Sequence, residues 1–521
     1  MRAILFLLLL CTSVFADNIE YTLTIEEPQN HICRVEIRAM TDGEDSLEFS
    51  LPAWSPGRYV IYNFSKNVFD VQAHSESGRT LPVSVQDKQT WLVRTENSKT
   101  VIFNYRVFAH TPDGTFSNID SDGASINGAG IFMYLRGRKD LSVGLTAKFP
   151  QSWQTVCPLP QDSVNHWQAA NYDILIDSPI EAGKLYIHSF KHQGREHLLV
   201  FHRQIKRQIL TTFENDIKKI ITAQNDIFKQ PLPYKRYVFF FRLDTTLIHS
   251  DGMEHLNSCR VLLRIDPDNM QTDANRDDAY DNLIWLTAHE YFHLWNVKRL
   301  RPAGLGPFDY SREVYTPSLW IAEGLTSYYA YLALVRSGIY TTDKLLSEFS
   351  GRITRYEIHP AKMLRSLEEV SLLSWLFKGK IPSYEETNAH KTFYSYYYKG
   401  LIVGMLLDLT IRRATENRLS LDDVMRAMYE QFYLRTPVNY YLSGRGYKEA
   451  DFERLAGKTA GIDLTLFFDT AVHRTETLDY TILEFVGLEL KYAAEEKRYR
   501  LEHLKQLSAE QKAALESWLG N

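Results

Sequence analysis

Cysteine is scarce in this sequence. Four cysteines occur among 521 residues, and three of them, Cys33, Cys157 and Cys259, lie beyond the first 16 residues. They include no C-x-x-C pair, which excludes a cysteine-based zinc or redox motif, and three thiols are too few for a disulfide framework. A single bridge is compatible with an oxidising compartment, and Cys33 with Cys157 is then the pairing that we expect.

Basic clusters, long apolar runs and a serine-nucleophile motif are also absent. The formal net charge is −5, and no concentration of lysine and arginine predicts a nucleic-acid-binding face or a polybasic membrane anchor. After the first 16 residues no run reaches the ~18 apolar residues that span a bilayer, so we expect no transmembrane segment. Neither a G-x-S-x-G sequence nor a catalytic cysteine signature occurs, which leaves serine and cysteine hydrolase mechanisms without support.

The N-terminus has the pattern of an export signal. Arg2 precedes an apolar run at residues 3–10, and residues 14–16 end in the small-residue pattern that a signal peptidase reads. This predicts a secretory signal peptide over residues 1–16, too short to span a membrane. A leucine precedes Cys11 where a lipoprotein signal has a small residue. We therefore expect a freely soluble exported protein, periplasmic or secreted.

The remaining composition is that of a globular protein with several domains. Hydrophobic residues make up 44% and charged residues 24% of the chain, and ~150 residues per domain predicts about three domains. Residues 17–166 contain short segments of alternating apolar and polar residues, such as 21–25 and 101–105, separated by Gly, Asn and Asp. This pattern predicts an all-β domain, built as a sandwich or a half-barrel.

Residues 167–476 change from strands to helices and predict a second domain. Strand-like segments at 185–203 and 236–243 flank a helix that the apolar spacing predicts over 205–228. Beyond this helix and the second strand, the longest predicted helices are 278–297, 317–337 and 393–414. Residues 477–521 form a short C-terminal extension, for which we predict a strand pair and a final helix over 508–519.

The sequence His289-Glu290-Tyr291-Phe292-His293 is an H-E-x-x-H motif within a predicted helix. Its i, i+4 spacing puts both imidazoles on one face, close enough to share a cation. Glu290 lies one residue round the helix, where a general base for a metal-activated water must sit. Two surface histidines on an amphipathic helix are the alternative. The apolar flanks argue against it, because they predict a buried helix in which unpaired histidines are costly.

A single acid stands in the next apolar helix, in the segment Trp320-Ile321-Ala322-Glu323-Gly324. A buried carboxylate needs a cation or a network of hydrogen bonds. Catalytic zinc sites of the His₂Glu type use two imidazoles and one carboxylate and keep an open position for water. The sequence therefore predicts one Zn²⁺ ion with His289, His293 and Glu323 as its protein ligands.

The segments around these residues resemble a known family. HEYFHLWNVKRLRP, from His289 to Pro302, and LWIAEGLTSYY, from Leu319, resemble the glycyl aminopeptidase family of zinc metallopeptidases. That family is a gluzincin group related to the aminopeptidase N family. LPAWSPGRY at residues 51–59 resembles its N-terminal β domain. The likeness extends over roughly residues 20–475.

The resemblance implies a multidomain α+β fold. An all-β N-terminal domain precedes a thermolysin-like (gluzincin) catalytic domain, which combines a mixed sheet with a helical subdomain. We therefore expect a signal peptide at 1–16, the β domain at 17–166, the catalytic domain at 167–476 and the extension at 477–521. Many members of the family carry a C-terminal PDZ domain, and the extension is too short to form a complete one.

The resemblance implies two further site residues. GMEH at residues 252–255 resembles the G-x-M-E-N loop of aminopeptidase N relatives. The glutamate of that loop binds the free α-amine of the substrate, a role that falls here to Glu254, although His255 replaces the asparagine. YYKG at residues 397–400 resembles their Y-x-K-G element, whose tyrosine stabilises the oxyanion, a role that falls here to Tyr397. An exposed turn glutamate and a packed core tyrosine are the ordinary alternatives.

The implied activity is metal-assisted hydrolysis of peptides that have a free N-terminus. Glu290 would take a proton from the attacking water and give it to the leaving amine, while Tyr397 supports the oxyanion and Glu254 holds the amine. By resemblance, the residue released would be Gly or Ala. Two alternatives stay open. One is an endopeptidase or a broad-specificity metallopeptidase, and the other is a non-catalytic peptide-binding protein, against which the intact Glu290 argues.

Overall fold

The structure, a computed structural model, describes residues 19–272, 277–377, 388–436 and 444–520. The signal peptide and Cys11 lie outside these residues, and the signal peptide stays a prediction. Among the described residues, no helix combines the length and the apolar character needed to cross a membrane.

Strands make up the N-terminal part of the chain, as the alternating pattern predicts. They are β1 Ile19–Thr24, β2 Ile32–Met40, β3 Ser46–Ser50, β4 Val68–Ser75, β5 Thr80–Leu81, β6 Val83–Asp87, β7 Thr90–Arg94, β8 Thr100–Phe108, β9 Asn118–Asp120, β10 Gly123–Ile126, β11 Tyr134–Leu135, β12 Val143–Lys148, β13 Gln154–Val156, β14 Gln161–Ser163, β15 His166–Ala169 and β16 Ile180–Gly183. Every second residue of β1, β2 and β8 is buried, so one face of each strand points into a core.

These strands form three sheets. One has eight strands, in the order β14-β15-β12-β1-β2-β8-β4-β5, and two have four, β13-β16-β10-β9 and β11-β3-β7-β6. The rings of Phe49 on β3 and Phe103 on β8 stack with their centroids 4.2 Å apart, which joins two of the sheets through the core. Because β16 pairs with β10 and β13, this part of the chain continues past residue 166. The exact division into domains stays a prediction.

A mixed five-stranded sheet opens the catalytic part. Its strands are β17 Tyr186–His192, β18 Arg195–Phe201, β19 Arg236–Leu243, β20 Asp251–Glu254 and β21 Ser258–Leu263. They lie in the order β17-β18-β19-β21-β20, and β18, β19 and β21 run parallel. Strand β20 pairs antiparallel with β21 at the edge of the sheet. This edge position matters because β20 carries Glu254.

Most of the helices follow the sheet in the chain, while α1 precedes it and α2 lies between two of its strands. They are α1 Tyr172–Ile176, α2 Arg207–Phe228, α3 Asp278–Phe292, α4 Leu325–Arg336, α5 Thr342–Glu357, α6 Leu367–Leu372, α7 Ser374–Phe377, α8 Ala389–Thr392, α9 Tyr396–Ala414, α10 Leu421–Tyr429, α11 Glu449–Ala460, α12 Thr465–Phe468 and α13 Ala509–Leu519. Wider π-helical turns occur at Trp320–Gly324, Glu430–Leu434 and Asp469–His473. Helix α2 confirms the helix predicted between β18 and β19.

Two predicted helices differ from the structure. The helix predicted over 278–297 ends at Phe292. In the turn that follows, the side-chain amide of Asn296 donates to the carbonyl of Ile321 at 2.8 Å. The helix predicted over 317–337 is interrupted by a π-helical turn before α4 begins. Both differences arise where the two segments meet, so they depend on tertiary contact rather than on local sequence.

The C-terminal extension contains a strand pair and a helix, which confirms their prediction. Strands β22 Leu488–Ala493 and β23 Arg498–His503 pair antiparallel, and α13 follows them. The indole of Trp518 donates a hydrogen bond to the phenol of Tyr328 on α4 at 2.8 Å. The extension therefore packs on the catalytic helices.

The three cysteines of the described chain are buried and free. The expected bridge between Cys33 and Cys157 is therefore wrong. The Sγ atom of Cys33, on β2, lies 3.8 Å from the carbonyl oxygen of Val107, whereas Cys157 follows β13 in a different sheet. Burial raises the pKa of both thiols to about 12, so they behave as protonated core side chains.

Two glycines allow the π-helical turn Trp320–Gly324 to approach helix α9. A Cβ atom on Gly324 would lie 2.5 Å from the Cα atom of Gly400, and one on Gly400 would lie 2.9 Å from the carbonyl oxygen of Trp320. Both neighbours are backbone atoms, which cannot turn aside as a side chain does. The close approach brings α9, with Tyr397 in its first turn, against the turn that carries Glu323.

Gly324→Ala is expected to destabilise the protein by about 1–3 kcal/mol, because the added methyl group would overpack a backbone contact. Gly351→Ala is the matched control. Gly351 lies in α5 with nothing within 4 Å of an added Cβ, so alanine should stabilise it by about 0.5–1 kcal/mol. Urea unfolding of the two variants measures both effects. Equal stability of Gly324→Ala and the unmodified protein would contradict the contact.

Candidate active site and metal centre

Three predicted metal ligands converge where α3 ends. The Nε2 atoms of His289 and His293 lie 3.2 Å apart, and the Oε2 atom of Glu323 lies 3.5 and 3.4 Å from them. Ligand atoms held 2.0–2.1 Å from a tetrahedral zinc ion lie ~3.4 Å from one another. The exposed fractions of the three side chains are 4%, 1% and 4%, so they face each other inside the protein. The arrangement fits a zinc ion.

Hydrogen bonds set the orientation of both imidazoles. The Nδ1 atom of His293 lies 2.7 Å from the carbonyl oxygen of Asn296. Because a carbonyl only accepts, Nδ1 carries the proton and Nε2 presents its lone pair to the other ligands. The Nδ1 atom of His289 lies 3.3 Å from the hydroxyl of Ser327. Each ring is therefore held in the orientation that a metal ligand needs.

A proton and a metal cation compete for the ligand cluster. Burial lowers the pKa of His289. At His293 burial acts in the same direction, but the carboxylate of Glu323 outweighs it and raises the pKa to about 9. The pocket thus favours a positive charge beside Glu323, and a cation that binds there must replace the proton on His293.

Asn296 connects the two segments that carry the ligands, a role that was not predicted from the sequence. Its side-chain amide donates to the carbonyl of Ile321 at 2.8 Å and contacts the hydroxyl of Thr326 at 3.1 Å. Its backbone carbonyl accepts from His293, so one residue orients a ligand and anchors the turn that carries Glu323. The signal in the sequence was a polar asparagine within the apolar run that follows the second histidine. The π-helical turn itself is a form that occurs often at functional sites.

Glu290 lies beside the ligands and has an unsatisfied oxygen. Its side chain is 5% exposed, and Oε2 has no hydrogen-bond partner among the described residues. Burial raises the pKa of Glu290 well above its ordinary value, and the negative charges of Glu254 and Glu323 add to this against the attraction of His293. A basic carboxylate of this kind is suited to accept a proton from water.

Gly252 on the edge strand β20 makes room for Glu290. A Cβ atom at this position would lie 2.0 Å from the Oε1 atom of Glu290. Two residues along the same strand, Glu254 contributes a half-buried carboxylate. Ligand atoms of Glu254, Glu290 and His293 all lie within 4.8 Å of one another. The edge strand therefore brings Glu254 to the metal centre, where the sequence predicted it.

The N-terminal domain holds this edge strand in place. The guanidinium of Arg58 donates to the Asp251 carboxylate at 2.7 Å and to the carbonyl of Gly252 at 3.1 Å. Next to it, Gly57 has φ of +83°, and a Cβ atom there would lie 2.9 Å from the Oε1 atom of Glu254. From the sequence, this segment was predicted only as part of the N-terminal domain. Its contact with the site depends on tertiary structure, which no local pattern encodes.

Three tyrosines surround the cluster, of which the sequence named Tyr397. Its ring lies 6.1 Å from that of His289, with 29° between the planes, and 5.0 Å from the ring of Tyr396. Burial, with the negative charge of Glu323 next, raises the pKa of Tyr396, Tyr397 and Tyr59 well above the ordinary value. All three phenols therefore stay protonated and keep their O–H donors.

His255, the departure from the G-x-M-E-N loop, has a structural role. Its Nδ1 atom lies 3.2 Å from the Asp177 carboxylate, which also accepts from the ammonium of Lys298 at 2.7 Å and from the backbone N–H of Leu256. Burial tends to raise the pKa of Asp177, but Lys298 and His255 outweigh it and lower the pKa. This buried group fixes the chain just beyond Glu254.

A buried acid contacts Trp320, the first residue of the π-helical turn. The indole of Trp320 donates to Glu449 on α11 at 2.6 Å, and burial raises the pKa of Glu449 to about 7. Close by, the imidazole of His473 bridges Glu368 and Glu453 at 3.0 and 2.9 Å. A proton on Glu449 therefore stabilises the packing of the segment that carries Glu323.

Glu449→Gln is expected to remove part of the pH dependence of stability. The carboxyl has a pKa of about 7 in the folded chain and ~4.3 when unfolded, so the folded chain binds more protons between these values. Its stabilising contribution is complete below pH ~4.3 and is lost as the pH rises to about 7, a change of ~4 kcal/mol. Glutamine keeps the acceptor for Trp320. Urea unfolding of both proteins at several pH values measures the difference, and identical pH profiles would contradict it.

Comparison with protein families identifies the chain. A model of the Peptidase M61 N-terminal domain matches residues 20–184, and a model of the M61 glycyl aminopeptidase matches residues 282–403, which include His289, His293 and Glu323. The two matches together span more than half of the sequence. This chain belongs to the M61 glycyl aminopeptidase family. It is a metallopeptidase, and both the family and the enzyme class predicted by the resemblance are confirmed.

Solved structures have the same fold as this M61 chain. An aminopeptidase N family protein from Idiomarina loihiensis is 27% identical with a TM-score of 0.83, over 91% of this chain and 79% of that one. An M1 zinc metallopeptidase from Deinococcus radiodurans is 12% identical with a TM-score of 0.54, over 89% and 95%. A mutant of that M1 enzyme bound to a Tyr-Ser-Ala substrate is 12% identical with a TM-score of 0.52, over 89% and 95%.

The likeness to the M1 structures concerns the fold. It confirms an all-β N-terminal domain followed by a gluzincin-type catalytic part. No curated protein matches the sequence. The roles of individual residues in this chain therefore rest on the geometry of its own site.

Proposed function

We propose that this chain is a zinc aminopeptidase that releases small N-terminal residues, glycine or alanine, from peptides. The position of Glu254 carries the proposal. Its carboxylate lies within 4.8 Å of both the carboxylate of Glu290 and the imidazole of His293. A peptide whose ammonium group binds Glu254 would therefore place its first peptide bond beside the metal ligands, and the glycyl aminopeptidase family model supports a small first residue.

His289, His293 and Glu323 would hold a single zinc ion. When bound, zinc polarises the scissile carbonyl and makes water nucleophilic near neutral pH. The protein contributes the orientation of the ligands. Asn296 fixes the His293 ring, and Ser327 contacts the His289 ring.

Glu290 is the proposed general base and then the general acid. Its unpartnered Oε2 atom and its raised pKa suit it to take a proton from the attacking water and to return it to the leaving amine. Tyr397 is the proposed donor to the developing oxyanion, because its half-buried phenol stays protonated beside the ligand cluster. Tyr396 lies next to it, and a variant at Tyr396 would be the control for this assignment.

Glu290→Gln is expected to retain zinc and lose activity. The amide keeps the shape of the side chain but cannot accept the proton, so kcat should fall by about 10²–10⁴-fold. Metal analysis by mass spectrometry and hydrolysis of glycine p-nitroanilide measure the two properties separately. Full hydrolytic activity in a zinc-loaded Glu290→Gln protein would mean that another group is the base.

Glu254→Gln is expected to weaken the use of substrates with a free amine. Loss of a charge-assisted hydrogen bond should lower kcat/KM for glycine p-nitroanilide by about 10- to 100-fold, mainly through KM. Cleavage of an N-blocked peptide should not change. Glu484→Gln, at an exposed glutamate of the C-terminal extension, is the control. Faster cleavage of the blocked peptide than of the free one by the unmodified protein would identify an endopeptidase instead.

A further inference from the structure

Outside the catalytic metal centre, three carboxylates surround the imidazole of His473. Helix α6 carries Glu368, α11 carries Glu449 and Glu453 in its first two turns, and His473 ends the π-helical turn Asp469–His473. Donor atoms of Glu368, Glu449 and His473 all lie within 4.8 Å of one another. Donor atoms bound ~2.0–2.2 Å from one ion are at most ~4.4 Å apart, so small side-chain movements would close this group around a cation.

The fourth side chain, Glu453, holds the His473 ring in the orientation that a metal ligand needs. The Nε2 atom of His473 lies 2.9 Å from the Oε1 atom of Glu453, and its Nδ1 atom lies 3.0 Å from the Oε2 atom of Glu368. When Nε2–H donates to Glu453, the lone pair of Nδ1 is free to face an ion beside Glu368. Histidines that bind metals almost always donate their other N–H group to a carboxylate, a carbonyl or water. Glu453 has the position of such an outer partner.

Glu449 is the member of the group that most needs a cation. It is 8% exposed, and Trp320, which donates to its Oε1 atom, is the one hydrogen-bond donor that reaches its side chain among the described residues. Burial raises the pKa of Glu449 to about 7, and the negative charges of Glu368 and Glu453 add to this effect. A buried carboxylate without a positive partner is costly. A divalent ion would neutralise it without a proton.

The charge and the accessibility of the group both favour a cation. With His473 protonated and Glu449 neutral, the carboxylates of Glu368 and Glu453 still leave a net charge of −1 on these four side chains. The side chains of Glu368 and His473 are 41% and 29% exposed, so an ion from solvent can reach them. An imidazole nitrogen together with carboxylate oxygens suits a first-row divalent ion better than Ca²⁺ or Mg²⁺, which prefer oxygen ligands.

We infer that Glu368, Glu449 and His473 form a second metal site, which binds a divalent first-row transition-metal ion and in which Glu453 is the outer partner of His473. The inference goes beyond the proposed function and does not depend on it, because none of these residues belongs to the catalytic cluster. The ion would join α6, α11 and the turn that ends at His473, three segments that are distant in the chain.

This second site would brace the segment that carries the catalytic ligand Glu323. The indole of Trp320 donates to Glu449 at 2.6 Å, and Trp320 begins the π-helical turn that contains Glu323. An ion that fixes Glu449 therefore also fixes the acceptor on which this turn rests. Turns of this kind occur often at functional sites, and here one contains Trp320 and the other ends at His473. The role of the ion is structural.

Binding of Mn²⁺ to the zinc-loaded protein tests the inference. Electron paramagnetic resonance measures the free Mn²⁺, and we expect one Mn²⁺ ion to bind per chain while mass spectrometry still finds the catalytic zinc. The outer partner of a ligand is worth about 10- to 100-fold in metal affinity, so Glu453→Gln should weaken Mn²⁺ binding by that factor. Glu449→Gln and His473→Ala, which remove ligands, should weaken it by at least ~10-fold. Mn²⁺ should also raise the unfolding temperature of the unmodified protein more than that of these variants.

His166→Ala is the matched control. The Nδ1 atom of His166 lies 2.5 Å from the carboxylate of Asp162 and its Nε2 atom lies 3.6 Å from that of Glu20, so this imidazole also faces two carboxylates. Both acids are about half exposed, and among the described residues no third ligand group joins them. The affinity for Mn²⁺ should not change in His166→Ala. Circular dichroism identifies a variant that fails to fold, and Glu449→Gln and Glu453→Gln then carry the test.

Several results would overturn the second site. One is the absence of Mn²⁺ binding at millimolar concentration, and another is equal affinity in the unmodified protein, Glu449→Gln and Glu453→Gln. Release of zinc in proportion to the Mn²⁺ bound would place the Mn²⁺ at the catalytic centre instead. An equal loss of affinity in His166→Ala would show that the binding is not specific. None of these results bears on the aminopeptidase proposal, which Glu254→Gln and Glu290→Gln test separately.

Discussion

Burial of a carboxylate between two imidazoles is the constraint on which the catalytic part of this structure depends. Taking Glu323 out of water is costly unless a positive charge meets it, and the attraction of this carboxylate raises the pKa of His293 to about 9 despite burial. The cluster therefore needs either a proton or a metal ion. Its geometry, with ligand atoms 3.2 to 3.5 Å apart, suits the metal.

The surrounding structure maintains that cluster through backbone contacts. Asn296 ends α3 by bonding to the segment that carries Glu323, and the paired glycines Gly324 and Gly400 let α9 approach the same segment. From the opposite side Arg58 holds the edge strand on which Glu254 lies. The site is thus built from both domains, because a loop of the N-terminal domain positions the strand that carries Glu254.

Part of the fold and of the site could be predicted from the sequence, because the signals for them are local. The spacing of His289 and His293 is a property of one helix, and an isolated acid in an apolar segment, Glu323, requires a partner wherever the chain goes. Strands such as β1 and β8 of the N-terminal domain follow from alternation. Each of these signals is local.

The rest depends on contacts between distant segments. The early end of α3, the π-helical turn and the role of Arg58 each need a partner far away in the chain, so no local pattern predicts them. The pairing of Cys33 with Cys157 was wrong because it assumed proximity that the sheets do not provide. From the sequence, Tyr59 was assigned only to the N-terminal domain, since only the fold brings it near Glu254 and Glu323.

Anomalous diffraction at the zinc absorption edge, on crystals of the purified protein, tests the central claim most directly. The account predicts one zinc peak at ~2.0–2.2 Å from the Nε2 atoms of His289 and His293 and from a carboxylate oxygen of Glu323. A zinc-loaded crystal with no peak among these three residues, or with its ion bound elsewhere, would contradict it.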